Sequence, residues 1–274
     1  MGVGATSAMT RPVVFFLSDY GLADEFVGVV HAVLVRLVPG AAVVDLTHGI
    51  PAFDARAGAE CLVRAVPHLG PGVVLAVVDP GVGSARRGVA VRSGDGRWFV
   101  APDNGLVVQA AEASGGVDVV LALRKPESAP ATFDGRDVFA PAAAALADGA
   151  DPLSVGDEVD PGSVVRLAPL ETTRLPDGGG RVLLRALVSW VDRFGNVQLG
   201  APALDGPPPA AGMLSVRIAG EELGARRVRS FSELAVGELG VLADANGRIA
   251  VVVREGSAAG KTGLQTGGVV ELIW

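Results

Sequence analysis

Two aspartates, each followed closely by glycine, stand directly after apolar runs that have the composition of buried strands. Asp19 lies in the stretch LSDYG at 17–21, and Asp79 lies in VDPGVG at 78–83. In an open parallel sheet, ligands bind beyond the carboxyl ends of the strands, and glycine lets the backbone approach a ligand closely. A loop aspartate that caps a turn is the alternative for either residue alone. Two of them at one sheet edge favour a binding or catalytic site.

Arg86 and Asp134 are the further candidates for catalysis. Arg86 follows Asp79 closely, and an arginine beside a carboxylate keeps it ionised and orients it through paired hydrogen bonds. A solvated arginine at the start of the next strand is the alternative. Asp134 belongs to the acidic stretch FDGRD at 133–137, which precedes a helical pattern. Asp137 fits the N-cap position of that helix, whereas capping does not explain Asp134.

Other residues that could carry chemistry give weak signals. The glycine-rich loop at 81–83 lacks both a following Lys-Ser/Thr pair and the spacing of a dinucleotide fingerprint, so phosphate binding is not indicated. No two of the three histidines have metal-ligand spacing, so we predict no metal. We also expect no cofactor. Cys61 lies in an apolar helical pattern and is interpreted as a small core residue rather than a nucleophile.

The elements that must position these residues alternate between strands and helices over the first half of the chain. Val73 to Val78 is an apolar run without alternation, which is typical of a strand buried on both faces. Asp54 to His68 and Val138 to Ala147 have helical patterns. The alternation predicts an α/β domain over residues 12–172, built on a mostly parallel sheet flanked by helices.

The pattern changes after about Gly149. Residues 150–180 are rich in Pro, Gly and Asp, including the Gly178–Gly180 run, and are interpreted as a linker with some edge structure. From Arg181 onward short strands alternate with turns, among them the hairpin signal Asn246-Gly247. We therefore predict a mostly β, barrel-like domain over residues 173–274.

Composition limits the class of protein. The 274 residues carry a net charge of −7, which argues against nucleic-acid binding because that needs a basic surface. No apolar run reaches the roughly 18 residues of a membrane span. Residues 1–10 lack the basic and apolar regions of a signal peptide, and one cysteine fits a reducing compartment. We therefore expect a cytoplasmic protein.

Seven segments, taken together and in order, resemble the SAM hydroxide adenosyltransferase family, the hydrolytic relatives of the fluorinases and chlorinases. The segments run from about Pro12 to the C-terminus across both predicted domains. They are FLSDYG at 16–21, LTHGI at 46–50, VDPGVG at 78–83 with Arg86, APDNGL at 101–106, TFDGRDVFAP at 132–141, DRFGNV at 192–197 and EGSAA at 255–259.

The resemblance implies a homotrimer that binds S-adenosyl-L-methionine (SAM) between the N-terminal domain of one subunit and the C-terminal domain of the next. It implies that Asp19 holds the ribose hydroxyls and that Phe53 covers the ribose and methionine end. It also implies that Asp192 binds the methionine ammonium and Asn196 an adenine edge. The remaining implied adenine contacts are Phe231 and the backbone from Val253 to Glu255.

The implied reaction is attack of water on the ribose C5′ of SAM, which gives adenosine and methionine. Asp79 and Arg86 match two members of the family's Asp-Arg-His set. Asp134 departs from it, since it stands where the family has histidine. It could accept the proton, orient Arg86, or mark a slow enzyme, and we expect it to make the pocket net negative. A raised pKa from carboxylate crowding would then make Asp134 a functional base.

Two other functions stay open, and a third is disfavoured by the order of the strands. The departure at Asp134 leaves a non-catalytic SAM- or adenosine-binding protein of the same fold possible. A halide-using, chlorinase-type homologue is the second, although Asp79 replaces the tyrosine of the halogenating relatives and a carboxylate repels halide. The tail at 256–268 superficially resembles part of a peptide-binding PDZ domain, but the hairpin before it leaves no room for the carboxylate-binding loop.

Overall fold

The computed structural model describes residues 11–176, 181–202 and 212–274. The chain forms two compact units, one ending at Leu167 and the other beginning at Ala168. The Gly178–Gly180 run of the expected linker lies outside the described residues, as do residues 1–10.

The first unit alternates strands and helices, as the apolar patterns predict. Its strands are β1 (Val13–Ser18), β2 (Ala42–Thr47), β3 (Val73–Val77), β4 (Gly88–Ser93), β5 (Trp98–Pro102), β6 (Val117–Leu123) and β7 (Gly156–Val159). Its helices are α1 (Phe26–Leu37), α2 (Ala55–Ala65), α3 (Val108–Ala113) and α4 (Ala140–Ala147). No described helix is both long and apolar enough to cross a membrane.

The strand order of this sheet creates a crevice at one edge. The order is β2-β1-β3-β5-β4-β6-β7. The chain leaves β1 toward β2 on one side, and then returns to place β3 on the other side of β1. Such a switch point opens a ligand crevice beyond the carboxyl ends of the two strands. Ser18 ends β1 and Val77 ends β3, so Asp19 and Asp79 both lie at this crevice.

The sheet is parallel in one half only. β2, β1, β3 and β5 pair in parallel, whereas β4 pairs antiparallel with β5 and β6, and β6 pairs antiparallel with β7. The expectation of a mostly parallel sheet therefore applies to the half that carries Asp19 and Asp79. The short turn at 94–97 explains the change, because a parallel pair needs a crossover of a dozen or more residues.

Helices cover both faces of the sheet. On one face, Leu34 of α1 and Ala143 of α4 pack in one buried cluster with Phe16 and Leu75. On the other face α2 approaches the sheet closely: a Cβ at its Gly58 would lie 3.7 Å from Leu17 of β1, and it would meet Leu106 of the following loop at 2.6 Å. The crevice residues thus stand on strands that are fixed from both sides.

The second unit is a closed barrel, as its strand and turn pattern predicts. Its elements are β8 (Thr172–Pro176), β9 (Val182–Val191), β10 (Val197–Pro202), β11 (Met213–Ile218), β12 (Glu221–Arg227), β13 (Leu239–Ala243), β14 (Arg248–Val253), α5 (Ala258–Thr262) and β15 (Val269–Ile273). The strand order is β10-β14-β13-β12-β11-β15-β9, and pairing of β9 with β10 closes the ring. β8 pairs with β9 outside the ring. The Pro207–Pro209 segment lies outside the described residues.

Candidate active site

A cavity of about 270 Å³ lies at the switch point of the first unit. Four of the predicted site residues, Asp19, Phe53, Asp79 and Asp134, line it. The other lining residues are Tyr20, Phe26, Ala52, Val77, Val82, Thr132, Phe133 and Gly135. The cavity therefore combines three carboxylates with an aromatic wall, which suits a ligand that has both a cationic and an apolar part.

Asp19 and Phe53 are joined by a hydrogen bond. The backbone N–H of Phe53 donates to Asp19 Oδ2 at 2.8 Å. Phe53 has a φ of 69°, in a region that bulky residues rarely adopt, and its side chain is exposed. Backbone strain of this kind clusters at ligand-binding sites. The contact fixes the Asp19 carboxylate and holds an aromatic ring at the cavity mouth.

Asp79, Arg86 and Asp134 form one buried charge cluster. Arg86 Nη2 donates to Asp79 Oδ2 at 2.5 Å and to Asp134 Oδ2 at 2.8 Å. The side chains are 10% exposed for Arg86 and 7% for each aspartate. The guanidinium also lies 5.3 Å from the ring centroid of Phe139. The sequence-predicted trio is therefore brought together around a single guanidinium.

A lysine that the sequence analysis did not single out completes this cluster. Lys125 Nζ donates to Asp134 Oδ1 at 2.5 Å, and Lys125 is itself partly exposed. Two carboxylates of this cluster thus face two cations, so the expectation that Asp134 makes the pocket net negative is wrong. Asp19 is the carboxylate of the pocket that has no cation partner among the described residues. Both oxygens of Asp134 accept hydrogen bonds from cations.

Asp79 differs from Asp134 in having an oxygen without a partner. Asp79 Oδ1 is buried and accepts no hydrogen bond from the residues that the structure describes. Burial raises the pKa of the Asp79 carboxyl and the Asp134 charge raises it further, against the opposing effects of Arg86 and of the Gly81 backbone N–H. An oxygen that is free, together with a raised pKa, is what a general base requires.

The aromatic wall is built from residues on separate elements. The rings of Tyr20 and Phe26 lie 5.7 Å apart, and Phe133 makes edge contacts with both. A Cβ at Gly135 would overlap the Tyr20 hydroxyl, so only glycine fits there. Burial, followed by the charges of Asp19, Asp79 and Asp134, raises the pKa of Tyr20. Tyr20 therefore stays a phenol and keeps its O–H as a donor.

Asp137 does not cap a helix. It lies in a π-helical turn, Gly135–Phe139, and its carboxylate pairs with Arg136. The N-cap position of that turn belongs to Asp134, whose side chain makes no capping hydrogen bond. The N-cap prediction for Asp137 is therefore wrong, because the helix begins one wide turn earlier than its pattern indicates.

The other predicted site residues lie in the second unit. Asp192 Oδ1 accepts from the backbone N–H of Phe194 and of Asn196, and its Oδ2 accepts from Asn196 Nδ2, each at 2.9 Å. This turn is tied to α5, since the Gly195 carbonyl accepts from Ala259 N–H at 2.9 Å. Asp192 and Asn196 are thus neighbours in one rigid turn.

Phe231, Val253 and Glu255 complete the predicted residues of this unit. Phe231 is partly exposed in a single 3₁₀ turn, Phe231–Glu233. Arg254, between Val253 and Glu255, donates to the Leu234 carbonyl at 2.8 Å and so links the two segments. Glu255 has a φ of 53°, another strained position among the predicted contacts. Val253 is buried, and its backbone pairs with Leu239 of β13 and with Gly256.

Sequence reasoning missed the aromatic wall and Lys125. Tyr20 and Phe133 stand beside predicted carboxylates, so a search for aromatic neighbours of Asp19 and Asp134 would have found them. Lys125 follows β6 in a loop of Pro, Ser and Ala without periodicity. The only signal for Lys125 is its rarity, because Lys261 is the other lysine of the chain.

Comparison with known proteins assigns both units to one family. Residues 14–156 match the SAM hydroxide adenosyltransferase N-terminal domain, and residues 186–271 match the C-terminal domain of the same name. The chain is 46% identical to a protein of Salinispora tropica named (R)-S-adenosyl-L-methionine hydrolase, over 93% of this chain and 95% of the relative.

More distant matches agree with this assignment. A fluorinase of Actinopolyspora mzabensis is 27% identical, over 70% of this chain and 72% of the relative. A crystal structure of an uncharacterized conserved protein from Thermotoga maritima superposes with a TM-score of 0.85 at 31% identity, covering 94% of this chain and 99% of that one. The hydrolase-named relative is thus much more similar than the fluorinase.

Proposed function

The chain belongs to the SAM hydroxide adenosyltransferase family, and from that premise we propose that it is an enzyme that hydrolyses SAM to adenosine and L-methionine. The observation that carries the proposal is the Asp79 carboxylate, which lines the cavity and keeps one buried oxygen, Oδ1, without a hydrogen-bond partner among the described residues, whereas both oxygens of Asp134 are paired with cations. A water molecule there has a proton acceptor, and a cationic sulfonium has a carboxylate-rich wall.

The reaction is a displacement at carbon. The water oxygen forms a bond to C5′ of the ribose while the C5′–sulfur bond breaks and its electron pair stays on sulfur. Methionine leaves as a neutral thioether, and the water proton goes to Asp79 Oδ1. Because the leaving group is already activated by its positive charge, the enzyme needs to align the water and accept one proton.

The other members of the charge cluster hold Asp79 in place. Arg86 binds the second oxygen of Asp79, which leaves Oδ1 as the basic atom. Asp134 orients Arg86 from the far side, and Lys125 neutralises Asp134. In this arrangement Asp134 is a positioning residue, since both its oxygens already accept hydrogen bonds from cations.

The substrate contacts follow the polarity of SAM. Asp19 accepts from the ribose hydroxyls, and Phe53 covers the ribose and methionine end. In the second unit Asp192 binds the ammonium and Asn196 binds an adenine edge. Phe231 and the backbone from Val253 to Glu255 contact the adenine. The name of the Salinispora relative supports the R epimer at sulfur as the substrate of this chain as well.

One assay tests the function directly. Purified protein incubated with each sulfur epimer of SAM in ¹⁸O-labelled water should release methionine and adenosine carrying the label at the 5′ oxygen. Chromatography with mass spectrometry identifies the nucleoside, and chloride and fluoride are added in parallel. S-adenosylhomocysteine as product contradicts the proposal, as does binding without turnover. A 5′-halo-nucleoside that increases with halide would make the chain a halide-using enzyme instead.

We further propose a cytoplasmic homotrimer in which neighbouring subunits share each site. The proposal is supported by the distribution of the candidate residues, since Asp19 and Asp79 lie in one unit and Asp192 and Asn196 in the other. Closed cyclic symmetry makes the same two surfaces meet at every interface.

Mixed subunits test this sharing. Asp79→Asn and Asp192→Asn chains should each be inactive alone. After the two variants are unfolded and refolded together in equal amounts, random cyclic assembly should restore about one quarter of the wild-type activity. Light scattering checks the trimer, and refolded wild-type protein is the control for yield. An active monomer, or no recovery in mixtures that do form trimers, contradicts shared sites.

Lys125→Met should move the pH profile of turnover. Without Lys125 the Asp134 charge acts more strongly on Asp79, whose pKa is already raised. The base must be ionised, so activity falls at low pH and the acid limb should shift to higher pH in the variant. Lys125→Arg should restore the wild-type profile. The adjacent variant Arg124→Met, which loses an exposed pair with Asp157, is the control, and an equal shift there contradicts the role of Lys125.

A further inference from the structure

Two histidines and an aspartate that are far apart in sequence converge on one point of the first unit. His31 Nε2 lies 2.8 Å and His48 Nε2 lies 3.0 Å from the same atom, Asp45 Oδ1. All three potential ligand atoms lie within 4.8 Å of one another. The spacing of the histidines in the sequence does not indicate this convergence, because it depends on how α1 packs beside β2.

The three residues stand on elements that the core holds rigidly. His31 is in α1, Asp45 is in β2, and His48 directly follows β2. The rings of both histidines also pack against buried Phe16, with centroids 6.0 Å and 4.6 Å away. The group is therefore preorganised, as a metal site requires.

His48 carries the clearest sign of a ligand. Its side chain is 3% exposed, and its Nε2 has no hydrogen-bond partner among the described residues despite the short distance to Asp45. Its other ring nitrogen, Nδ1, lies 2.7 Å from Ser18 Oγ. Metal-binding histidines commonly donate the second ring N–H to such an acceptor, which fixes the ring and directs the free nitrogen toward the metal.

We propose that His31, Asp45 and His48 bind a divalent transition-metal ion of the zinc type. Two imidazoles and one carboxylate are a common ligand set for zinc, with bonds of about 2.0–2.2 Å. Tetrahedral coordination at those lengths separates neighbouring ligand atoms by about 3.3 Å, so the observed 2.8 Å and 3.0 Å need only a small outward adjustment.

An adjoining cavity leaves room for a further ligand. It has a volume of about 560 Å³ and is lined by Asp45 and His48, together with Gly21, Leu22, Thr47 and Gly49. Water can therefore complete the coordination. Because Asp79 lines the other cavity, the ion is not needed to activate the attacking water.

The position of the site indicates a stabilising role. An ion there would tie α1, β2 and the end of β1 together through Ser18. Ser18 precedes Asp19, and Ser18 Oγ also accepts from the Tyr20 backbone N–H at 3.3 Å. Metal binding should therefore raise the thermal stability of the unit that presents Asp19, whether or not the chain hydrolyses SAM.

Metal titration of the full-length protein tests the proposal. After treatment with a chelator, the protein is titrated with Zn²⁺ by calorimetry and with Co²⁺ by visible absorption, and its thermal unfolding is followed. We expect one ion per chain, Co²⁺ bands typical of four-coordinate nitrogen and oxygen ligands, and a higher Tm with Zn²⁺. His31→Ala and Asp45→Asn should weaken binding at least ~100-fold. Ser18→Ala should weaken it by ~10–100-fold, as expected when the residue that orients a ligating histidine is lost.

The third histidine supplies a matched control. His68 is exposed and does not belong to the group, so His68→Ala should bind Zn²⁺ as the wild type does. His31 and Asp45 are partly exposed, and circular dichroism of their variants confirms folding. The proposal is overturned if the wild type binds no ion below millimolar concentration, or if the His31 and His68 variants bind equally. Either result would leave the group as an ion pair between one carboxylate and two histidines.

Discussion

Asp79→Asn should lower the turnover of SAM by at least ~10²-fold, because the positioned base that accepts the water proton is lost. SAM binding should change little, since the proposed contacts to ribose, ammonium and adenine involve other residues. Single-turnover rates with enzyme in excess measure the chemical step, and equilibrium dialysis measures binding. The amide keeps the size of the side chain, so a change in rate is not a change in packing.

Two controls locate the effect. Asp118→Asn removes an exposed carboxylate that pairs with Arg92 and should leave turnover unchanged. Asp134→Asn should lower turnover much less than Asp79→Asn, because Asp134 orients Arg86 and does not receive the proton. If the Asp134 variant instead lost as much activity as the Asp79 variant, with binding intact, Asp134 would be the base and the assignment to Asp79 would fail.

The sequence predicts those site residues whose positions are determined by the ends of strands. An apolar run that ends in a carboxylate places that carboxylate at a sheet edge, and strand order then decides whether two such edges meet. Asp19 and Asp79 meet because β1 and β3 are neighbours at the switch point. Phe53 has no such signal in its surroundings, and only the family resemblance indicates it.

Contacts between side chains on unrelated elements stay invisible in the sequence. Lys125 reaches Asp134 from a loop, and His31 reaches Asp45 from a helix. Neither contact is indicated by hydrophobic periodicity, because each depends on the length of a side chain rather than on which face of an element is apolar. The error about the source of negative charge in the pocket has this cause, and for the same reason the spacing of the histidines does not indicate that His31 and His48 converge on Asp45.

Arg86→Met should destabilise the protein by about 3–5 kcal/mol, the usual cost of removing one partner from a buried ion pair. Arg86 is the shared cation of two buried carboxylates, and a methionine of similar length keeps most of the packing. Urea unfolding followed by fluorescence measures the loss. Arg92→Met, which loses only an exposed pair with Asp118, should cost less than about 1 kcal/mol.

A second substitution added to Arg86→Met shows which carboxylate depends on Arg86. Asp134 keeps Lys125, whereas Asp79 has no other cation among its described contacts. Adding Asp79→Asn to Arg86→Met should therefore restore more stability than adding Asp134→Asn. The deficit should also shrink as pH falls from 7 to 5. A carboxyl whose folded pKa is raised binds protons more readily in the folded state, so the variant gains stability as pH decreases. Equal rescue by both substitutions, or a deficit independent of pH, would contradict the asymmetry that leaves Asp79 as the base.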